Sequence, residues 1–313
     1  MPNSSTMAGV LAPVVTPFDE DLSPDADRLI RHCRWLLTQN CGLAIFGTNS
    51  EANSLSVQER MDLLDSLVEA GLPAEQMMPG TGCCAIIDSV SLTKHAVSQG
   101  VGGVLMLPPF YYKNVSDAGI FRNFAEIIER VGDSRLKIYL YHFPQMSQVP
   151  FGLDLISKLL NDYPDTVVGI KDSSGDQANL EAMLKAFPGF GVFAGNETLL
   201  LANMRAGGVG CISATANINP AAIHDLYVGW EDASADDLQA ELTDLRMAVQ
   251  QFPIIAALKW TIAHHMAEPS WSQTRPPLIP LDERTGNQLI QDLDSRGFRM
   301  PGIRQSTAGP VLA

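Results

Sequence analysis

"VVGIKDSSGD", residues 167–176, opens as a buried strand and closes as a turn. Val167, Val168 and Ile170 are β-branched and apolar, the residue type that packs well on a pleated surface. Lys171 then ends the strand, with Asp172, Ser173, Ser174 and Gly175 directly behind it. Lysine is among the residues least often buried, so a lysine at the mouth of a core strand asks for a reason beyond packing. The stretch also reads as the start of a strand–loop–helix unit, and the rest of the chain repeats that unit.

Comparable apolar runs occur at 10–17, 42–47, 76–82, 102–108, 137–143, 191–195 and 210–215. With 167–171 they make eight candidate strands, their starts roughly 20 to 35 residues apart, room for a strand, a loop and a helix each. Strands alternating with helices imply parallel pairing through right-handed crossovers. The predicted architecture is therefore α/β, a (β/α)8 barrel. Ser56 and Glu59 form a capping box for the helix after the second strand. Ser23-Pro24 is expected to open an earlier helix, with proline at its first position. After about Trp230 the alternation stops, and 234–251, 253–266 and 282–297 read as three helices without strands between them. The expected division is a barrel over residues 1–232 and a C-terminal helical appendage over 233–313, whose last ten residues have little to pack and should fray.

At 313 residues the chain can bury a large core, and 46% hydrophobic with 18% charged residues is ordinary soluble composition. No apolar run reaches the roughly 20 residues of a membrane span. The N-terminus lacks a basic stretch followed by an apolar core, so no signal peptide is expected and a cytoplasmic location is. A formal net charge of −14 argues against nucleic acid as a partner. The five cysteines have neither disulfide-framework nor zinc-like spacing, and no metal or cofactor site is expected.

Active sites of such barrels lie at the C-terminal ends of the strands. Those ends carry Gly47–Glu51, Tyr141-His142, Lys171–Ser173, Gly195–Glu197 and Ser213. Burial disfavours an ammonium ion, and a neutral amine can attack a ketone to form a Schiff base. In that reading Tyr141 shuttles the proton and Thr48 hydrogen-bonds the phenol. The alternative is a rim ion pair between Lys171 and Asp172 or Glu197. Elsewhere, His264-His265 lacks metal-binding spacing, and the glycines of "GTGCC" and "AGGVG" follow from tight turns. Cys83-Cys84 sits at the end of the third candidate strand, where a reactive thiol is conceivable.

"GTNSE" (47–51), "YHFP" (141–144) and "GIKDSSGD" (169–176), in that order at three strand ends, resemble the dihydrodipicolinate synthase / N-acetylneuraminate lyase family. "VVTPFDED", "LPPFYY", "AGGVGCISATANINP", "ALKW" and "PPLIPL" extend the resemblance over about residues 8 to 300. It implies a (β/α)8 class I enzyme acting on pyruvate or another 2-oxo acid, with no cofactor. Residue by residue, it implies that Lys171 forms the imine, that Tyr141 transfers protons and that Thr48 belongs to the same relay. Thr48 and Asn49 would bind the 2-oxo acid's carboxylate, and Gly195 and Ile212 would line the pocket. Tyr111, preferred over Tyr112, would be lent across a subunit interface, within a homotetramer built as a dimer of dimers.

The departures bear on the substrate. Asn49 stands where many members have threonine or serine, Ser50 where glycine is usual, and His142 where asparagine is common. Two residues after Pro144, where the synthases carry a carboxylate-gripping arginine, this chain has Met146. A thioether is a weak acceptor and makes no bidentate contact with a carboxylate. The expected function is accordingly a Schiff-base aldolase or lyase of the sugar-acid kind, by reversible C–C cleavage or by dehydration of a 2-oxo-3-deoxy sugar acid. The alternative is the synthase reaction, condensing pyruvate with aspartate semialdehyde. A third reading, a 2-oxo acid sensor without turnover, is opposed by the intact Lys171, Tyr141 and Thr48.

Overall fold

The structure is a computed structural model and describes residues 6–304. In chain order its elements are β1 (Gly9–Ala12), α1 (Ala26–Thr38), β2 (Cys41–Leu43), α2 (Val57–Glu69) and α3 (Ile86–Ser98). Next come β3 (Val104–Met106), α4 (Asp117–Val131), β4 (Ile138–His142), the one-turn α5 (Pro144–Ser147) and α6 (Leu153–Asp162). Then follow β5 (Val167–Asp172), α7 (Gln177–Ala186), β6 (Gly191–Ala194), α8 (Leu200–Arg205) and β7 (Gly210–Ile212). Four helices close the chain: α9 (Pro220–Val228), α10 (Ala235–Gln250), α11 (Ile254–Met266) and α12 (Glu283–Ser295). The fraying expected at the C-terminus concerns residues outside those described, apart from Arg304.

The described residues divide into two compact units, one of Pro73–Ile212 with residues 6–9, the other of Val10–Leu72 with residues 213–304. The first holds five parallel strands in the order β3, β4, β5, β6, β7. Helices intervene between successive strands, as parallel pairing requires. The opening stretch is legible in full here. β5 ends at Asp172, Gly175 turns the chain at φ 72°, and the Asp176 carboxylate caps α7 by accepting from the N–H groups of Ala178 and Asn179.

The third candidate strand, 76–82, does not form a ladder. Met77 and Met78 are buried, and the segment runs beside β3 through one bridge, Gly80 to Leu105. Gly102 N–H donates to Met77 O at 3.2 Å, which is half of a further bridge. The other half would need an N–H on residue 79, and Pro79 has none.

Beneath the strand ends of this unit, the fully buried Tyr139 ring fills space that three glycines leave open. A Cβ at Gly103 would lie 2.6 Å from the ring, one at Gly169 2.5 Å, and one at Gly191 3.7 Å. The Tyr139 hydroxyl accepts the Met7 N–H at 2.6 Å, and burial pushes the phenol up to about 12.

In the second unit β1 and β2 pair in parallel, Val10 with Cys41 to Ala12 with Leu43. The capping box on α2 is present: Ser56 Oγ accepts the Glu59 N–H at 3.1 Å, and Glu59 Oε2 accepts the Ser56 N–H at 2.7 Å. The start of α1 differs from expectation. Pro24 lies in an antiparallel bridge with Phe18, and Ser23 turns to Asp21. Asp25 therefore caps α1, accepting the Arg28 N–H. The three helices expected after Trp230 are α10, α11 and α12. Their apolar faces contribute Leu242, Leu245, Val249, Leu258, Ile262, Leu289 and Leu293 to the core of this unit. Among the described residues no helix is long and apolar enough to cross a membrane.

Candidate active site

The parallel register of the first unit places Tyr141 opposite Lys171 and His142 opposite Asp172. Side chains alternate along a strand, so Tyr141 shares a face of β4 with Tyr139, and Lys171 shares a face of β5 with Gly169. Lys171 is buried, and its Nζ lies 3.4 Å from the Tyr141 hydroxyl oxygen and 4.5 Å from the centre of that ring. Phe143 stacks on Tyr141, ring centres 5.8 Å apart, which limits the phenol's rotation.

The rim ion pair allowed by the sequence does not form. Among the described residues Lys171 joins no salt bridge, and the Asp172 carboxylate is engaged otherwise. Asp172 Oδ1 accepts the Ser174 N–H at 2.9 Å, and Oδ2 accepts the Asn179 amide at 3.1 Å. His142 Nδ1 accepts the Phe151 N–H at 3.0 Å, which requires an unprotonated Nδ1. Burial lowers the His142 pKa, and the Asp172 charge offsets part of that effect. This second pair ties β4 and β5 together one residue beyond Tyr141 and Lys171, a link that sequence spacing did not single out.

Gly195 N–H donates to Asp172 O at 2.7 Å, and a Cβ there would come within 2.4 Å of Ser173 Oγ. Glycine at 195 thus follows from the close approach of the β6 end to the Asp172-Ser173 turn. Ile212 is buried at the end of β7. Met146, on α5, is 61% exposed. Lys113 is held beside that turn, donating to Ser147 O at 2.9 Å and to Phe110 O. Tyr111 and Tyr112 meet edge to face at 5.4 Å and are 74% and 72% exposed, so within one chain both remain at the surface. Cys84 is exposed and Cys83 half-buried.

Thr48 and Asn49 belong to the second unit, in a tight turn from Gly47 to Ala52. Ser50 N–H and Ala52 N–H both donate to Gly47 O, and Glu51 N–H donates to Thr48 O. Ser50 Oγ accepts the Gly47 N–H at 3.2 Å, and Ser50 O accepts the Thr16 hydroxyl at 2.7 Å. Ser50 therefore staples the turn through its side chain and its carbonyl. Asn49 contributes its N–H to none of these bonds.

The same turn carries a group of charges that sequence reasoning missed. Glu51, in the left-handed region at φ 56°, is fully enclosed and ion-paired with Lys259 of α11, itself fully buried. Lys259 also donates to Gln273 O at 2.6 Å, and its Nζ lies 4.3 Å from the centre of the Phe18 ring. Glu51 Oε2 accepts the Arg275 N–H at 2.8 Å. Arg275 reaches Leu22 O, Ser54 O and the Glu59 carboxylate, and holds that carboxyl down at about 2. Glu51 and Lys259 stand 208 residues apart in the chain, a separation that no local pattern can signal.

In the first unit a buried amine thus lies against a phenol, at the ends of neighbouring parallel strands. The family model for the dihydrodipicolinate synthetase family matches residues 6–296, and the chain belongs to that family of class I pyruvate-dependent aldolases and lyases. A DapA-like lyase of Chloroflexus aurantiacus is 30% identical over 281 residues, 87% of this chain and 91% of that protein. The crystal structure of dihydrodipicolinate synthase from Agrobacterium tumefaciens superimposes with a TM-score of 0.86 at 30% identity, covering 92% of this chain and 99% of that one. The prophage protein YagE of E. coli K12, solved in complex with pyruvate, gives a TM-score of 0.85 at 26% identity, with 94% and 99% covered. The chain is a lyase of this family, and its parallel α/β architecture with a helical C-terminal part is the family's.

Proposed function

We propose that Lys171 forms an imine with a 2-oxo acid and that the chain cleaves, or joins, the C3–C4 bond of a hydroxylated substrate. The observation that carries this reading is the buried Lys171 amine, 3.4 Å from the Tyr141 hydroxyl and free of any carboxylate partner among the described residues. In the cleavage direction the amine adds to the C2 carbonyl, and water leaves to give the protonated imine. A base on the Tyr141 phenol oxygen takes the C4 hydroxyl proton, the C3–C4 bond breaks and its electrons pass to the imine nitrogen. The aldehyde departs, C3 of the enamine is reprotonated, and hydrolysis of the imine releases pyruvate. For dehydration of a 2-oxo-3-deoxy sugar acid, a C3 proton of the imine is removed instead, and the resulting enamine expels the C4 hydroxyl, which leaves as water with that proton.

Thr48 and Asn49 are assigned to the carboxylate of the 2-oxo acid, Thr48 also to the proton relay, and Gly195 and Ile212 to the pocket wall. The exposed Tyr111 is assigned to a neighbouring subunit's relay, within a tetramer of two dimers, in the cytoplasm. The division near residue 232, with a complete eight-unit barrel before it, belongs to the same proposal. The synthase reaction is the second reading, and the exposed thioether of Met146, in place of an arginine, weighs against it. Borohydride trapping with pyruvate, followed by peptide mapping, tests the imine. A panel of hydroxylated 2-oxo acids screened for pyruvate release, alongside pyruvate with aspartate semialdehyde, decides between the two reactions.

A further inference from the structure

The turn assigned to carboxylate binding is not self-supporting. Glu51 occupies the left-handed region at φ 56°, which a residue with a Cβ adopts only at some energetic cost. Phe46, on the other side of the turn, is also left-handed at φ 58°. Such a conformation persists when its surroundings over-determine it, and here they do so through charge. One Glu51 oxygen receives the Lys259 ammonium and the other receives the Arg275 N–H. Lys259 is anchored in turn by Gln273 O and by the Phe18 ring, over which the Arg275 guanidinium also lies at 4.8 Å. The group is dry, with Lys259 and Glu51 side chains both 0% exposed.

A buried ion pair is a poor source of net stability, because desolvation offsets most of its attraction. A pair of apolar residues would fill this space at least as well. What a charged pair adds is direction: it sets where Glu51, and with it the backbone of the preceding three residues, must sit. We propose that Lys259 is a positioning residue for the Gly47–Glu51 turn, holding Glu51 so that the Thr48-Asn49 backbone keeps the shape that receives a 2-oxo acid's carboxylate. This inference rests on the assignment of that turn to the carboxylate in the proposed function.

The experiment compares the wild-type chain with Lys259→Met and with the double variant Glu51→Gln/Lys259→Met, which removes both charges and leaves none stranded. Wild type is first trapped with pyruvate and borohydride; absence of an adduct on Lys171 would end the imine reading itself. Given that adduct, the concentration of pyruvate for half-maximal trapping is measured for all three proteins, beside methyl pyruvate, which has the ketone but no carboxylate. Both variants should need about tenfold more pyruvate or above, while still trapping to completion at saturation. Methyl pyruvate should show wild-type half-saturation in all three. A folded variant with unchanged pyruvate dependence would overturn the proposal. So would an equal loss for pyruvate and its methyl ester, which would mean general disorder of the site. Failure of both variants to fold would make the pair structural and would end the proposal as well.

Discussion

Lys171 and Tyr141 are direct partners in the β4–β5 register, and the amine nitrogen of one stands 3.4 Å from the hydroxyl oxygen of the other. Neither reaches across a loop to do so. Both positions are set by strand pairing, the least deformable part of the unit, so the two groups keep their separation without a ligand. Lys171→Ala should abolish the borohydride-trapped pyruvyl adduct and nearly all turnover, read by intact mass and peptide mapping. Tyr141→Phe keeps the amine, so it should still be trapped while turnover drops by roughly 10²- to 10⁴-fold, the range of a lost proton-transfer group. Trapping at Lys113 or Lys259 would contradict the assignment.

Met146 separates the two candidate reactions. Aspartate semialdehyde brings a second carboxylate, and a charged hydrogen bond contributes about 1.5 to 3 kcal/mol where it is made. Lys113, held beside that turn, already donates to Ser147 O and Phe110 O. Condensation of pyruvate with aspartate semialdehyde should therefore be weak in the wild type. Met146→Arg should raise its kcat/KM by roughly tenfold or more. Efficient condensation by the wild type, with no better substrate among hydroxylated 2-oxo acids, would refute the Met146 argument.

The exposed tyrosine pair tests assembly. Tyr111→Phe should lower turnover and leave imine trapping intact, whereas Tyr112→Phe should have the smaller effect. Sedimentation should show at least a dimer at assay concentrations. A fully active monomer would exclude a shared relay.

His32 gives a pH prediction for stability. It is completely buried, stacked on Trp35 and edge-on to Trp271, with Asn217 Oδ1 at 3.4 Å, and burial holds its pKa down at about 4 against an ordinary 6.5. Its Nδ1 has no hydrogen-bond partner among the described residues, so a second proton would be unpaired. Between these two values the unfolded chain binds the proton and the folded chain does not. Stability is therefore intact above about pH 6.5 and falls as pH drops toward 4, by on the order of 3 kcal/mol in all. In denaturant titrations between pH 7 and 5, His32→Gln should show a flatter dependence than wild type. Equal slopes would mean that His32 is not the group responsible.

The most legible parts of this chain were those written locally. The β5 stretch announced its strand, its lysine, its glycine turn and its helix within ten residues, and "YHFP" marked the end of β4, whereas the strand expected at 42–47 ends at Leu43, before "GTNSE" begins. The capping box on α2 was equally visible, because its two partners lie three residues apart. Local writing also misled at Ser23-Pro24, where a bridge to Phe18 diverted the proline and left Asp25 as the cap. The run at 76–82 has strand composition, yet one missing N–H at Pro79 reduces it to a single bridge. The Glu51–Lys259–Arg275 group could not be read, since its members come from three distant segments joined only by folding. The same holds for Tyr139, whose neighbours are glycines that carry no side chain to betray a contact.

Those glycines bind four positions into one unit of inheritance. Tyr139 supplies the bulk that Gly103, Gly169 and Gly191 withhold; enlarging Gly103 collides with the ring unless residue 139 shrinks as well, and a Cβ at Gly169 meets Gly191 O at 2.5 Å in addition to the ring. A lineage can change this floor only by changing both sides of the fit, and a single step on either side leaves a clash or a hole. For protein engineering the same arithmetic gives one handle. Trimming Tyr139 opens volume directly below Tyr141 and Lys171, on their own strand faces, without touching either reactive group. Under the proposed function, that space is depth for a longer substrate, gained from beneath Lys171 and Tyr141.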